Sequence, residues 1–192
     1  MSGTWWQIRQ VLVVACVATI PLLAWRGTGV IAQTRRERLA GAAYARGVAA
    51  QMDGRYAVAA AEFRDALALS PRATGAYTAL GDVEFRRGHT DDAVAAYRQL
   101  MAIYPFTYIG ELYRQVGLFE LRGDRPEAAV RDLRQAVMLD PEDWVAFYWL
   151  GHASARVGDY ASARASWSRV LLLNPDYPPA VRQLRDLDAK HP

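Results

Sequence analysis

The chain has 192 residues, of which 52% are hydrophobic, 22% charged and 11% aromatic, and this composition excludes a disordered or collagen-like protein. About 155 residues remain beyond an apolar N-terminal segment, which is enough for one domain with its own core. The single cysteine, Cys16, excludes a disulfide framework and a cysteine-built zinc or iron–sulfur site within the chain.

The net charge of +3 comes from the N-terminus. Residues 1–38 contain five arginines and one glutamate, a balance of +4, whereas residues 39–192 contain 18 basic and 19 acidic side chains, a balance of −1. A nucleic-acid-binding domain carries its basic excess on the folded surface, so we predict no nucleic-acid partner. A basic tract beside an apolar segment instead suits a membrane surface.

An apolar stretch near the N-terminus is typical of a membrane-spanning helix. The 16 residues from Gln10 to Trp25 are uncharged and would extend roughly 24 Å as a helix. Trp5 and Trp6 would lie roughly 30 Å from Trp25, as expected of aromatic belts at the two faces of a bilayer. Arg9 can extend outward to the nearer face. We therefore predict a single-pass transmembrane anchor.

Two other interpretations of this stretch remain open. A cleaved signal peptide fits Arg9 and the small residues Val30-Ile31-Ala32, and a buried core helix fits the length. The tryptophans favour a retained anchor over residues 1–26, followed by a basic juxtamembrane joint over residues 27–38. The arginines after the span favour a cytoplasmic domain, whereas the export-like N-terminus slightly favours the periplasmic side of a bacterial inner membrane.

Three rows of residues recur through the remainder of the chain. The prolines are spaced by 34, 36 and 34 residues, one row of glycines by the same intervals, and a second row by 34, 35 and 35. A period of this length is typical of stacked helix–turn–helix units. The rows are Pro71, Pro105, Pro141 and Pro175; Gly47, Gly81, Gly117 and Gly151; and Gly54, Gly88, Gly123 and Gly158.

Each row has an expected structural role. The first glycine row should lie mid-helix and face an alanine row, so that two helices approach closely. The second glycine row should lie in the turn of each unit at positive φ. Pairs of a capping residue and a proline should end one helix and start the next. The alanines are Ala59, Ala93, Ala129 and Ala163, and the pairs are Ser70-Pro71, Asp140-Pro141 and Asn174-Pro175.

This pattern resembles the tetratricopeptide repeat family. The matching motif residues are Tyr77, Leu80 and Gly81 in the second unit, and Phe147, Leu150, Gly151, Tyr160, Ala163 and Pro175 in the fourth. The resemblance implies an all-α solenoid of four repeats over residues 39–175. Its repeats are expected at 40–73, 74–107, 110–143 and 144–175, followed by a capping helix at 176–192.

The two ends of the solenoid have helix signals of their own. The spacing of Thr34 and Glu37 is that of a capping box, which predicts a first helix starting at Arg35. The capping helix is expected to bury a stripe of Val181, Leu184 and Leu187. Two extra residues in the third repeat lie near Phe106-Thr107-Tyr108 and are expected to alter the angle between the two halves of the solenoid.

The sequence carries no short motif of hydrolases, metalloproteases, P-loop proteins or kinases, so we predict a non-enzyme with no cofactor or metal. His89 lies beside Asp91 and Asp92, but a metal site needs three or four converging ligands. We interpret these residues as a solvated helix start, where acidic side chains oppose the positive end of the helix dipole.

The resemblance also implies a groove, lined by the first helix of each repeat, that binds an extended segment or a helix of another protein. The family's clamp for a C-terminal carboxylate uses lysine and asparagine, and neither occurs at the matching positions here. Groove aromatics are expected to anchor a partner or to pack between repeats. Groove arginines are expected to bind a carboxylate, to be solvated, or to pair with Asp82 and Glu111. The predicted groove residues are Tyr44, Asp82, Phe85, Arg86, Arg114, Arg122, Tyr148, His152 and Arg156.

We therefore predict a membrane-anchored interaction module that assembles or stabilises a multi-subunit bacterial membrane complex, with other membrane proteins and the bilayer as partners. The alternative is a structural accessory subunit of a membrane complex, such as a respiratory or photosynthetic one, which is bound mainly through its transmembrane helix.

Overall fold

The computed structural model describes residues 32–104 and 109–191, and these residues form nine α-helices and no strand. The helices are α1 (32–52), α2 (Tyr56–Leu69), α3 (Thr74–Arg86), α4 (Thr90–Ile103), α5 (Ile109–Arg122), α6 (Pro126–Leu139), α7 (Trp144–Arg156), α8 (Tyr160–Leu173) and α9 (Pro178–Lys190).

The helices form four consecutive pairs, which α9 follows. Each helix packs mainly on its neighbours in sequence, and α5 also contacts α7. The buried apolar residues form overlapping clusters that pass from one pair to the next. The predicted all-α solenoid of helix–turn–helix repeats is therefore confirmed.

The N-terminal predictions fall largely outside this description. The anchor residues Trp5, Trp6, Arg9 and Trp25 lie outside the described residues. Among the helices that are described, none has the length and apolar character needed to cross a bilayer. Residues 32–38 of the predicted joint belong to α1, so the predicted helix start at Arg35 is wrong by at least three residues.

Close packing within each pair depends on the mid-helix glycines, but their partners differ from the prediction. A Cβ atom at Gly81 would lie 2.5 Å from the Tyr97 ring, and one at Gly117 would lie 2.6 Å from Leu133 Cγ. The alanines meet the glycines mainly through backbone atoms, since the Ala93 carbonyl oxygen would lie 3.3 Å from the Cβ added at Gly81. The glycines therefore make room for the large residue four positions after each alanine.

The turns follow the predicted glycine rule in three repeats and depart from it in the third. Gly54, Gly88 and Gly158 have φ of 72°, 82° and 82°, whereas Asp124 takes the positive φ in the third repeat. Gly123 lies instead against Thr90, whose Cγ2 would be 2.7 Å from an added Cβ. Close approach, and not a left-handed backbone, requires glycine at that position.

The pairs of capping residue and proline end a helix without starting the next. Helix α6 ends at Leu139, its C-cap is Asp140, and α7 begins at Trp144. The N-cap of α7 is Asp143, whose carboxylate accepts a hydrogen bond from the Ala146 amide at 3.0 Å. The proline therefore occupies the linking turn, and the next helix has its own cap.

Helix α9 covers the end of the solenoid through a stripe different from the predicted one. Ala180 and Leu187 are buried and Leu184 packs against the same cluster, whereas Val181 is 39% exposed. The buried residues contact Trp167 and Val170 of α8. The apolar edge of the fourth pair is thus kept from water.

Candidate protein-binding groove

The first helices of the four pairs, α1, α3, α5 and α7, carry all nine residues that were predicted to line a groove. We call the surface formed by these four helices the groove. The structure places these residues in three different situations: some are held by hydrogen bonds or ion pairs within the chain, two form exposed cation–aromatic contacts, and others pack against neighbouring rings. None of the nine lines the apolar cavity between these helices. These situations decide which side chains are available to a partner.

A cavity of about 520 Å³ lies between the N-terminal halves of α3 and α5. Its walls are largely apolar, because Leu100, Leu112 and Tyr104 contribute their side chains. Thr78 and Glu111 add polar atoms at its lining. A space of this size and character accepts a large apolar side chain.

Asp82 lies on the same helix as the cavity residue Thr78 and is held by a buried tyrosine. The Tyr97 hydroxyl donates a hydrogen bond to Asp82 Oδ1 at 3.0 Å. The concave surroundings remove part of the carboxylate's hydration, although water still reaches it, and this desolvation raises the pKa of Asp82. Burial, with the nearby Asp82 charge, raises the pKa of Tyr97, so its hydroxyl remains a donor.

Phe85 is a half-buried aromatic residue between two repeats. The Phe85 ring stacks on Phe119 with centroids 4.5 Å apart. The guanidinium carbon of Arg122 also lies over the Phe85 ring, 5.5 Å from the ring centroid. Arg86 also contacts a ring of the preceding repeat, 5.9 Å from the centroid of Tyr56 at the start of α2. Both arginines are exposed.

Arg114 and Arg156 are committed to bonds within the chain. Arg114 Nε lies 2.9 Å from Asp143 Oδ2. Arg156 donates to the Leu121 carbonyl at 2.7 Å and also pairs with Asp124. Both arginines therefore tie the third repeat to the fourth, and the predicted pairing of Arg114 with Glu111 is the longer of its two contacts, at 3.4 Å.

The aromatic residues at the two ends of the groove pack mainly on their own repeats. The Tyr44 ring lies 5.5 Å from that of Phe63, with 37% of the residue exposed. At the other end, Tyr148 contacts Tyr177, the N-cap residue of α9, and His152 meets Trp167 edge-on with centroids 5.4 Å apart. Burial lowers the pKa of His152.

Sequence reasoning missed a pair of buried acids beside the groove helices. Glu84 is fully buried and receives Arg64 at 2.6 Å and Arg87 at 2.8 Å. Glu120, at the same position of the next repeat, is 6% exposed and pairs with Arg125. The available signal was a glutamate three residues after a mid-helix glycine in two consecutive repeats.

One group of potential metal ligands occurs among the residues that the structure describes. Ligand atoms of Glu84, His89 and Asp92 lie within 4.8 Å of one another. However, Glu84 is already neutralised by two arginines, and His89 Nδ1 lies 2.9 Å from its carboxylate. The arrangement is that of an ion-pair network, in which positive charge is already supplied.

Comparison with known proteins decides the family. The family model for the tetratricopeptide repeat matches residues 44–106 and 120–181, which together make up more than half of the chain. The chain belongs to the tetratricopeptide repeat family. A comparison with curated proteins finds no match.

Solved structures of other tetratricopeptide repeat proteins have the same fold. The MamA protein is 18% identical with a TM-score of 0.67, and the match covers 81% of this chain and 80% of MamA. PilF of Pseudomonas aeruginosa is 25% identical with a TM-score of 0.64, over 81% of this chain and 70% of PilF. The first such domain of Spaghetti (RPAP3), solved with the HSP90 peptide SRMEEVD, is 24% identical with a TM-score of 0.56, over 61% and 94%. Tetratricopeptide repeat proteins mediate protein–protein interactions and bind peptides.

Proposed function

We propose that this chain is a membrane-anchored interaction protein, without catalytic activity, that assembles or stabilises a multi-subunit complex in a bacterial inner membrane. The observation that carries the proposal is the cavity of about 520 Å³ between α3 and α5, on the surface where the first helices are accessible. The partner inserts an apolar side chain there and lies along the groove.

The membrane part of the proposal is supported by the N-terminal sequence. The segment from Trp5 to Trp25 contains 16 consecutive uncharged residues, and its flanking tryptophans would lie roughly 30 Å apart in a helix, as expected of a single span. Arg35, Arg36 and Arg38 on the first turns of α1 are exposed and can face anionic lipid. Tethering raises the effective concentration of membrane proteins around the groove, which favours them as partners. We place the repeats on the periplasmic side, a placement that protease digestion of intact spheroplasts tests.

A second candidate function is favoured by the groove side chains that already make contacts within the chain. Arg114, Arg156, Tyr148 and His152 all serve contacts within the chain. A solenoid that uses these residues internally also suits a structural subunit, held in its complex mainly by its transmembrane helix while the repeats fill space beside it.

The experiment that separates the two functions compares three variants of the tagged full chain, purified with its complex in mild detergent. Thr78→Trp fills the cavity, and Ser168→Trp is the matched control on the exposed surface of α8. The third variant replaces residues 8–25 with an unrelated apolar span. Mass spectrometry and size-exclusion chromatography measure the partners that remain.

We expect Thr78→Trp to lose the partner, while Ser168→Trp and the exchanged span retain it. Loss with the exchanged span and retention with Thr78→Trp would instead establish the structural subunit. Recovery of the wild-type chain only as a free monomer would contradict both functions. Thermal melts by circular dichroism check that each variant folds.

A further inference from the structure

The first helix of the solenoid extends further at its N-terminal end than the other first helices do. Helix α1 already includes residue 32, which lies 15 positions before Gly47, whereas α3, α5 and α7 begin seven or eight positions before the glycine of the same row. The difference amounts to about two helical turns. These extra turns carry Arg35, Arg36 and Arg38, all of which are exposed.

A cavity of about 520 Å³ lies between the extra turns of α1 and the turn that links α2 to α3. Its polar lining consists of Gln33, Arg36 and Glu37 from α1, and of Ser70 and Arg72 from the linking turn. It shares no lining residue with the cavity between α3 and α5. The two cavities are therefore separate candidate sites.

Arg36 continues the buried stripe of α1 past the end of the core. Ala40 and Ala43 are buried, and their spacing from Arg36 places all three residues on one face of the helix. Arg35 and Arg38 are offset from this stripe, and neither lines the cavity. Arg36 is thus the one arginine of the three that faces the cavity.

The linking turn that carries Arg72 is fixed by two tyrosine hydroxyl groups. Tyr77 donates a hydrogen bond to the Pro71 carbonyl at 3.2 Å, and Tyr104 donates one to the Arg72 carbonyl at 3.3 Å. The backbone of Arg72 is therefore held in place, while its side chain is exposed and lines the cavity.

Arg36 and Arg72 give the cavity an excess of positive charge. Among the residues that the structure describes, no carboxylate lies within 4.0 Å of either guanidinium. Glu37 is the one acid in the lining, and it accepts a hydrogen bond from the neutral Gln33 amide at 3.1 Å. Two arginines against one glutamate make the cavity suitable for an anion.

The equivalent turns later in the solenoid have the opposite charge. The residue after the turn proline is Arg72 between the first two repeats, Glu142 between the last two, and Asp176 before α9. Glu142, Asp176 and the neighbouring Asp140 are all exposed. An anion is therefore attracted at the first of these turns and repelled at the later ones.

The length of chain before α1 indicates where the anion comes from. The predicted anchor ends at residue 26 and α1 includes residue 32, so the intervening chain spans at most roughly 20 Å in any conformation. The lipid headgroups adjoin the end of the anchor. The cavity is thus held within reach of headgroups, whereas nothing concentrates a free anion beside it.

We propose that Arg36 and Arg72 bind the phosphodiester of an anionic phospholipid, whose phosphate charge is not cancelled by an amine in the same headgroup. Each planar guanidinium donates paired hydrogen bonds to phosphate oxygens, and the Ser70 hydroxyl is a further donor. Binding holds the first repeat, and not the acidic later turns, against the headgroups. The inference rests on the proposed function, because it requires the membrane anchor.

The test measures lipid binding to the purified full chain by native mass spectrometry. The chain is titrated in detergent with phosphatidylglycerol or with phosphatidylcholine of the same acyl chains, at two concentrations of ammonium acetate. The two lipids share the phosphodiester and differ in the net charge of the headgroup. Inorganic phosphate, added at the concentration of the lipid, distinguishes a lipid site from a site for a free anion.

We expect phosphatidylglycerol to bind about tenfold more tightly than phosphatidylcholine, with a smaller difference at high salt. Arg36→Gln combined with Arg72→Gln should reduce this preference to less than about twofold. Arg35→Gln combined with Arg38→Gln is the matched control, because it removes the same charge from outside the cavity, and it should leave most of the preference. Glu37→Gln should increase the preference, because it removes the one acid of the lining.

Several results would overturn the inference. They are equal binding of the two lipids to the wild type, an equal loss of preference in the two double variants, an unchanged preference in the Arg36/Arg72 double variant with a wild-type melt, or displacement of phosphatidylglycerol by inorganic phosphate. If the chain resists carbonate extraction from membranes and retains its partner, the proposed function survives and only the lipid recognition fails. Recovery of the chain in the soluble fraction would contradict the anchor and with it both proposals.

Discussion

At the scale of single residues, four glycines set the distance between the two helices of each pair. Glycine in a helix costs about 1 kcal/mol relative to alanine. Here that cost is offset because Phe63, Tyr97, Leu133 and Trp167 are buried directly against the glycine backbone. The repeat period thus reflects one packing solution used four times with side chains of different shape.

Gly81→Ala should destabilise the chain by about 2 kcal/mol, because the added Cβ collides with the buried Tyr97 ring. Gly41→Ala is the matched control in α1. A Cβ there meets nothing within 4 Å, so better helix propensity should raise stability by up to about 1 kcal/mol. Denaturant unfolding followed by circular dichroism measures both. Equal effects of the two substitutions would refute the packing argument.

At the scale of elements, α9 serves as the cover of the open end of the stack. The last repeat of a solenoid has an apolar face with no further repeat to cover it, so a capping helix with a polar outer face must shield that face from water. The helix does so with Ala180 and Leu187, and its exposed face carries Arg182, Arg185 and Asp186. The effect of α9 is confined to the end of the stack, because α9 packs on α8 and the apolar cluster that contains Leu187 extends only from α7 to α9.

Leu187→Ala should lower the free energy of unfolding by about 2 to 3 kcal/mol, since the side chain is 6% exposed and leaves a void against α8. Val181→Ala, on the same helix but 39% exposed, should change stability by less than about 0.5 kcal/mol. Urea unfolding of the two variants tests the assignment of the buried stripe. A larger loss of stability with Val181→Ala than with Leu187→Ala would show that Val181 is buried, as the sequence predicted.

At the scale of the whole molecule, buried acids connect one repeat to the next. Arg64 of the first pair reaches Glu84 of the second at 2.6 Å, and Arg98 of the second reaches toward Glu120 of the third at 3.9 Å. In the fourth repeat, Ser154 occupies the position of the glutamates, and Asp159 occupies that of His89 and Arg125. The glutamate and its basic partner are thus replaced together in the fourth repeat, so that no glutamate faces the Asp159 carboxylate.

Glu84→Gln should destabilise the chain by about 3 kcal/mol, because Arg64, Arg87 and His89 would face an uncharged amide in a buried position. Asp53→Asn breaks a pair with Arg55 in which both side chains are 59% exposed, and should leave stability nearly unchanged. Thermal melts at low and high salt measure the difference. A salt-sensitive loss equal in the two variants would mean that the buried pair contributes no more than a surface pair.

Short-range patterns were sufficient to predict the repeat, the helix pairs and the resemblance to the family. The period of the glycines and prolines follows from contacts within one unit, and these recur wherever the same residue recurs. The same patterns also placed the nine groove residues on the first helices. They could not rank those residues, because exposure and pairing depend on neighbours up to 37 positions away in the chain, as for Arg122 and Phe85.

The sequence alone determined that this chain stacks helix pairs, since hydrophobic periodicity and turn residues act over distances of a few residues. Only the tertiary structure decided that Arg114 and Arg156 pair with carboxylates while Arg86 and Arg122 lie over aromatic rings. The same holds for the cavity beside Thr78, for Asp124 in the third turn and for the buried acids. The physical reason is that each depends on the distance between side chains of different repeats, which the stacking geometry sets.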